Sequence, residues 1–175
     1  MAAVNIVHSV TPIAQSKTMS CWAAAAAMLL TWKNGIPYTE YSAANAAGNN
    51  FLVAFQTNQG LPGTTISELA SALNLKAEAP QNWTVAGYAN LLKAHGPLWV
   101  GTAIFSSTSI YRHVRILRGV TGDGTFDGTT ALIVDPDGGR DYQESVADFA
   151  RELEEIAKQD LGSGAELNPQ VIHFP

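Results

Sequence analysis

The sequence predicts a single-domain α+β protein. A mostly helical half covers about residues 11–97 and an antiparallel β-sheet half about residues 98–175. Three observations carry this. Before Gly96-Pro97 the apolar segments are alanine-rich and bounded by helix start and stop residues. After it they are short, β-rich and separated by Ser and Gly clusters. From residue 1 to residue 175 no internal repeat, low-complexity linker or charge run divides the chain.

The elements follow in order. Val4 to Val10 alternates enough for a short strand, which Thr11-Pro12 ends. Cys21 to about Lys33 is a helix: Ser20 is a good N-cap, Ala23 to Ala27 have the highest helix propensity, and Asn34-Gly35-Ile36-Pro37 stops it. Tyr38 to Ala47 is a second alanine-rich helix, closed by Gly48. Phe51 to Gln59 fits either helix or strand, and Gln59-Gly60-Leu61-Pro62-Gly63 is a loop. A helix follows to about Leu73, with Thr65 and Glu68 spaced as a capping box. Thr84 to His95 is another helix. Leu98–Phe105, His113–Thr121 and Thr130–Val134 are strands. Ser145 to Gln159 is an acidic amphipathic helix with Val146, Phe149, Leu153 and Ile156 on its apolar face, and Val171 to Phe174 adds a last strand.

Bulk properties narrow the function classes. A chain of 175 residues with 46% hydrophobic and 14% charged residues buries a proper core. A net charge of -5 argues against nucleic acid as the main partner, because no basic stripe is present to meet phosphates. One cysteine excludes an internal disulfide. The segment Met1 to His8 has neither the basic region nor the apolar stretch of a signal peptide, and even Cys21 to Trp32 is too short to span a membrane.

The lone cysteine sits where the polar segment Gln15-Ser16-Lys17-Thr18-Met19-Ser20 turns into a helix. In the first helical turn Cys21 has unpaired backbone N–H groups and the positive end of the helix dipole beside it, both of which favour a thiolate. Gln15 offers an amide that can fold back to donate near the sulfur, completing the parts of an oxyanion hole. A cysteine beside an alanine run is also ordinary core filler. Of the four histidines, His8 precedes the cysteine in a strand, His95 complements a helix C-terminus and His173 lies almost at the chain end. His113 opens a strongly β run after a polar loop, a rigid mount for a general base or simply a half-exposed strand residue. If Val114–Val120 pairs with Thr130–Val134, Asp135 emerges beside His113 and can orient the imidazole; Asp137 is the rival carboxylate.

Other chemistries fail on their own terms. The Gly119–Gly128 run links two strands and presents no helix N-terminus to a phosphate. Asp123-Gly124-Thr125-Phe126-Asp127 resembles the start of a calcium loop, but Val134 stands where the bidentate Glu belongs. A single cysteine and scattered histidines give no zinc site.

The series Gln15, Cys21-Trp22 opening a helix, His113 on a strand and Asp135 after the next strand resembles the papain-like cysteine peptidases. Ser20-Cys21-Trp22 matches the end of that family's Cys-Gly-Ser-Cys-Trp signature, with Thr18 in place of the first cysteine. Leu98-Trp99-Val100-Gly101 before the histidine and Val134 to Gly139 after it are similar to the bacterial branch of effector peptidases and bacteriocin-leader peptidases. The resemblance spans about Val10 to Arg140. It implies a papain-like fold with the substrate cleft between the two halves, catalysis by Cys21, His113 and Asp135, and Gln15 in the oxyanion hole. Trp22 then either lines the cleft or packs between the halves, and Trp99 belongs to the core. The implied partners are a protein or peptide substrate and a cognate immunity or inhibitor protein or secretion machinery, with no cofactor or metal. The implied setting is the cytoplasm of the producing cell, with delivery into a target cell independent of a signal peptide. Glutamine deamidation or transglutaminase-like amide transfer uses the same three groups. A catalytically silent binding protein on the same scaffold is the alternative from a different class.

Overall fold

The computed structural model describes residues 2–164 and 166–175. Helices and strands run in the order β1 (Val4–Val7), α1 (Cys21–Asn34), α2 (Glu40–Ala46), α3 (Asn49–Gln56), α4 (Ile66–Ala72), β2 (Lys76–Ala77), α5 (Val85–His95), β3 (Leu98–Phe105), β4 (Ile110–Gly122), β5 (Thr129–Asp135), β6 (Arg140–Ser145), α6 (Val146–Gly162) and β7 (Val171–His173). Every pairing in the sheet is antiparallel, in the order β2-β7-β3-β4-β5-β6. β1 joins the long strand β4 beyond the point where β3 ends, with Val7 opposite Gly119. The approach there is so close that a Cβ on Gly119 would run into the Ile6 carbonyl oxygen, which requires glycine.

The alternation of strand residues sorts the core into two layers. Trp99, Val114, Ile116, Val134 and Ile172 face α1, α2 and α4, while Leu98, Val100, Leu117, Val120 and Ile133 face α5 and α6. α1 has no polar face: every residue from Trp22 to Leu30 is buried. A helix apolar all round belongs in the interior, and small alanines let neighbouring elements close on it. Gly35 ends α1 in the left-handed conformation, with its N–H on the Thr31 carbonyl.

Several local expectations need correction. Ser20 precedes α1 but makes no capping bond, because its hydroxyl donates to Glu40 instead. Thr65 caps nothing either: its hydroxyl donates to the Pro62 carbonyl at 2.8 Å. The first strand ends at Val7, and the Phe51 region is helical. β4 begins at Ile110, three residues before His113, because the β3–β4 hairpin stays in register to Phe105 opposite Ile110. β2 and β6 were not expected at all.

Beneath α6, Arg115 is 1% exposed and donates to Thr102 Oγ1 at 3.0 Å, to the Tyr142 hydroxyl at 2.6 Å and to both Glu144 and Glu152. One guanidinium faces two half-buried carboxylates. Burial, only partly offset by Arg115 and reinforced by the Glu152 charge, pushes Glu144 up to about 7. A carboxylate raised above its unfolded value binds protons more tightly when folded, so its stability contribution is present below pH 4.5 and lost as pH climbs through 7. Glu144→Gln is therefore expected to stabilise the protein at pH 8 by about 1–3 kcal/mol and to change little at pH 4.5. Thermal denaturation of both proteins at the two pH values checks this.

Candidate active site

Cys21 is the first residue of α1, so its backbone N–H has no partner within the helix. The loop leading into it is held from two sides. From α2, the buried Glu40 carboxylate accepts the Ser16 N–H at 2.9 Å and the Ser20 hydroxyl at 2.5 Å. From the segment after α3, Asn58 donates to Thr18 Oγ1 and accepts the Met19 N–H, and the Gln59 carbonyl accepts the Trp22 indole N–H. A third tie crosses to the sheet: the Gln15 N–H donates to the Pro136 carbonyl at 2.8 Å.

His113 on β4 and Asp135 at the end of β5 come together because Ile116 pairs with Val134. His113 Nε2 donates to Asp135 Oδ1 at 2.6 Å, with both residues buried. The carboxylate also accepts the Asp137 N–H at 2.8 Å on Oδ1 and Arg140 Nη2 at 3.3 Å on Oδ2. Asp137 itself points outward and contributes only its backbone to the pair, so the imidazole meets Asp135 rather than its rival. With Nε2 committed to Asp135, Nδ1 is the ring nitrogen left for Cys21, which faces the imidazole.

The two buried groups stabilise each other's charge. Burial alone would push His113 down, but the Asp135 hydrogen bond, the Cys21 sulfur and the Asp135 charge together raise it from 6.5 to about 9. Burial alone would push Asp135 up, yet His113, the Asp137 N–H and Arg140 hold it below the usual carboxylate range.

Two pockets meet at His113. One, about 330 Å³, is lined by Cys21, His113 and Arg112 and by the apolar Met19, Trp22, Leu61, Ile66, Trp99 and Val114. The other, about 200 Å³, shares His113 and is lined by Gln15, Asp135, Asp137 and Arg140 together with Ile104 and Tyr111. Trp22 is buried and also lines the first pocket. Trp99 is core by burial, and its indole N–H donates to the Trp22 carbonyl at 3.3 Å. Gln15 sits beside His113, but its amide nitrogen donates to the Lys17 and Thr18 carbonyls at 2.8 and 3.1 Å, and its Oε1 is buried without a partner. Gly139 has φ 62°, and a side chain there would press on the Ala14 backbone at 3.2 Å, so a glycine lets the Asp135 turn close on the Gln15 segment.

Glu40, Asn58, Tyr111 and Arg140 were not foreseen from sequence. Arg140 had a signal: it is the first cation after the two acids of the Asp135–Gly139 turn. Glu40 had none, since its burial depends on how α2 docks. Among the described residues, no group of three or more His, Cys, Asp or Glu is arranged to hold a metal ion.

A helical layer that opens on a cysteine, packed against an antiparallel sheet that carries a buried His–Asp pair, defines the class of papain-like cysteine proteases. Residues 4–154 match the family described as papain-like cysteine protease AvrRpt2, and the chain belongs to that family of peptide-bond hydrolases. Among solved structures it is similar to a double glycine motif protease from an AMS/PCAT transporter in complex with the leader peptide. The two share 19% identity with a TM-score of 0.52, over 87% of this chain and 93% of that one. That likeness is one of fold. No curated protein matches the chain.

If Asp135 holds the His113 proton, the imidazole titrates near 9 in the wild type and falls towards 6.5 in Asp135→Asn. A histidine raised in the folded state contributes stability that is full below 6.5 and lost as pH rises through about 9. The variant is therefore expected to lose stability at pH 6 but little at pH 10. Imidazole NMR titration and denaturation at the two pH values test both halves.

Proposed function

We propose that the protein is a cysteine endopeptidase in which Cys21 is the nucleophile, His113 the acid–base group and Asp135 the residue that orients it. The observation that carries this reading is the 2.6 Å bond from His113 Nε2 to Asp135 on the strand facing the first residue of α1. A thiolate–imidazolium pair at Cys21 and His113 attacks the substrate carbonyl. Negative charge develops on the carbonyl oxygen beside the Cys21 N–H and the Gln15 amide. To join in, Gln15 redirects one amide hydrogen from the Lys17 or Thr18 carbonyl. His113 then passes its proton to the leaving amine, and water releases the acyl group from the sulfur.

The two pockets differ in that Cys21 lines only the apolar one, whereas His113 lines both. The leaving amine, taking its proton from His113, departs towards the pocket of Gln15, Asp137 and Arg140. The acyl half then occupies the apolar pocket of Met19, Trp22, Leu61, Ile66 and Trp99, which favours substrates with an apolar side chain near the scissile bond. The effector setting, with transfer into a target cell and a cognate inhibitor or secretion partner, rests on family membership. No helix among the described residues is long and apolar enough to cross a membrane.

Cys21→Ala and His113→Ala are expected to abolish cleavage of a peptide library read by mass spectrometry. Gln15→Ala is expected to reduce kcat by roughly 10²-fold or more. His113→Ala is also expected to slow iodoacetamide alkylation of Cys21 below pH 7. Ammonia release from glutamine side chains without peptide cleavage would assign amide transfer instead, and alkylation unchanged by the His113 substitution would leave a silent scaffold.

A further inference from the structure

Arg140 has no part in the chemistry above, yet it is bonded to the triad carboxylate. Oδ1 of Asp135 is occupied by His113 and by the Asp137 N–H, whereas Oδ2 meets only Arg140 Nη2, at 3.3 Å. The arginine is itself fixed at several points. Nε donates to the Asp137 carbonyl at 2.8 Å, Nη2 donates to Asp137 Oδ2 at 2.8 Å, and the guanidinium lies 6.0 Å from the centre of the Tyr142 ring. Its backbone pairs with Asp135 itself in the β5–β6 ladder. The Arg140 side chain is 59% exposed and that of Asp135 only 3%, so the guanidinium forms the solvent-facing cover of a buried carboxylate.

We propose that Arg140 is a positioning residue of the peptidase, holding the outer oxygen of Asp135 so that the inner oxygen stays on His113 Nε2. The inference rests on the triad reading of the preceding subsection. A carboxylate secured at one oxygen is free to turn about its last bond, and a half-buried oxygen without a donor is the place where a proton adds first. The guanidinium blocks both by supplying a charged donor in a fixed orientation. The groups facing Asp135 are His113 from β4, with Cys21 of α1 behind it, Asp137 from its own turn, and Arg140 and Tyr142 from β6. Asp137 opposes Asp135 in charge and competes for the same Nη2. Removing it therefore frees Arg140 for Asp135.

The test compares Arg140→Gln, Arg140→Lys and Asp137→Asn by ¹³C NMR titration of the Asp135 carboxyl and by the pH profile of kcat/KM. Arg140→Gln is expected to move the Asp135 titration upward and to lower kcat with little change in KM. Arg140→Lys, which keeps the charge, is expected to restore most of the titration. Asp137→Asn, which breaks the same surface ion pair, is expected to leave it in place or move it down. An unmoved titration in Arg140→Gln overturns the proposal, and so does an equal upward movement in Asp137→Asn, which would reduce Arg140 to a brace for the turn. The carboxyl titration needs no substrate. Failure of the peptidase reading would therefore appear in the Cys21→Ala activity and not in this measurement.

Discussion

The bond between His113 and Asp135 is the interaction on which the other features depend, because it offsets the burial of both partners. Each is buried and each would be driven towards its neutral form by the loss of water. Held 2.6 Å apart, the imidazolium and carboxylate neutralise one another. That requires β4 and β5 to pair in one register, since a slip of one residue would turn either side chain to the other face. It also requires the turn after β5 to fold back so that the Asp137 N–H reaches the carboxylate.

Cys21, which faces this pair, belongs to a different layer. Two devices bring the layers together. The apolar α1 is packed against the β4 and β3 face through Trp22, Trp99 and Val114, which fixes the helix as a body. The loop before it is fastened to the acid side by the Gln15 N–H on the Pro136 carbonyl, and to the helical side by Glu40 and Asn58. Cys21 is thus held by a rigid helix below and a bonded loop above.

Much of this was legible in the sequence because it rests on local signals. The helix from Cys21, its stop at Gly35, the strands on either side of the Gly-rich turn and the juxtaposition of His113 with Asp135 all follow from propensity, punctuation and hairpin geometry. What escaped depended on tertiary partners. Ser20 reads as a cap, but Glu40, brought in by α2, offers its hydroxyl a charged acceptor that outcompetes the helix N–H. Thr65 and Glu68 have capping-box spacing, yet Pro62 places a carbonyl within reach of Thr65 first. β6 carries the polar sequence Arg140 to Ser145, and only its pairing with β5 makes it a strand. The Gln15 amide was expected to point at the sulfur, and its own loop carbonyls claim it.

The sheet carries a second buried cation two residues beyond His113, and comparing the two explains how pH acts on the molecule. At the His113–Asp135 pair one positive charge meets one negative charge, with the further Arg140–Asp137 couple balanced outside it. At Arg115 one positive charge meets two carboxylates, and burial, reinforced by the Glu152 charge, leads Glu144 to take up a proton around 7. Mild acidification therefore satisfies the Arg115 cluster while His113, which keeps its proton up to about 9, is unaffected. The two sites share a strand but titrate in separate ranges. Neutral-range protonation thus acts on the stability of the sheet beneath α6 without discharging the imidazolium that faces Cys21.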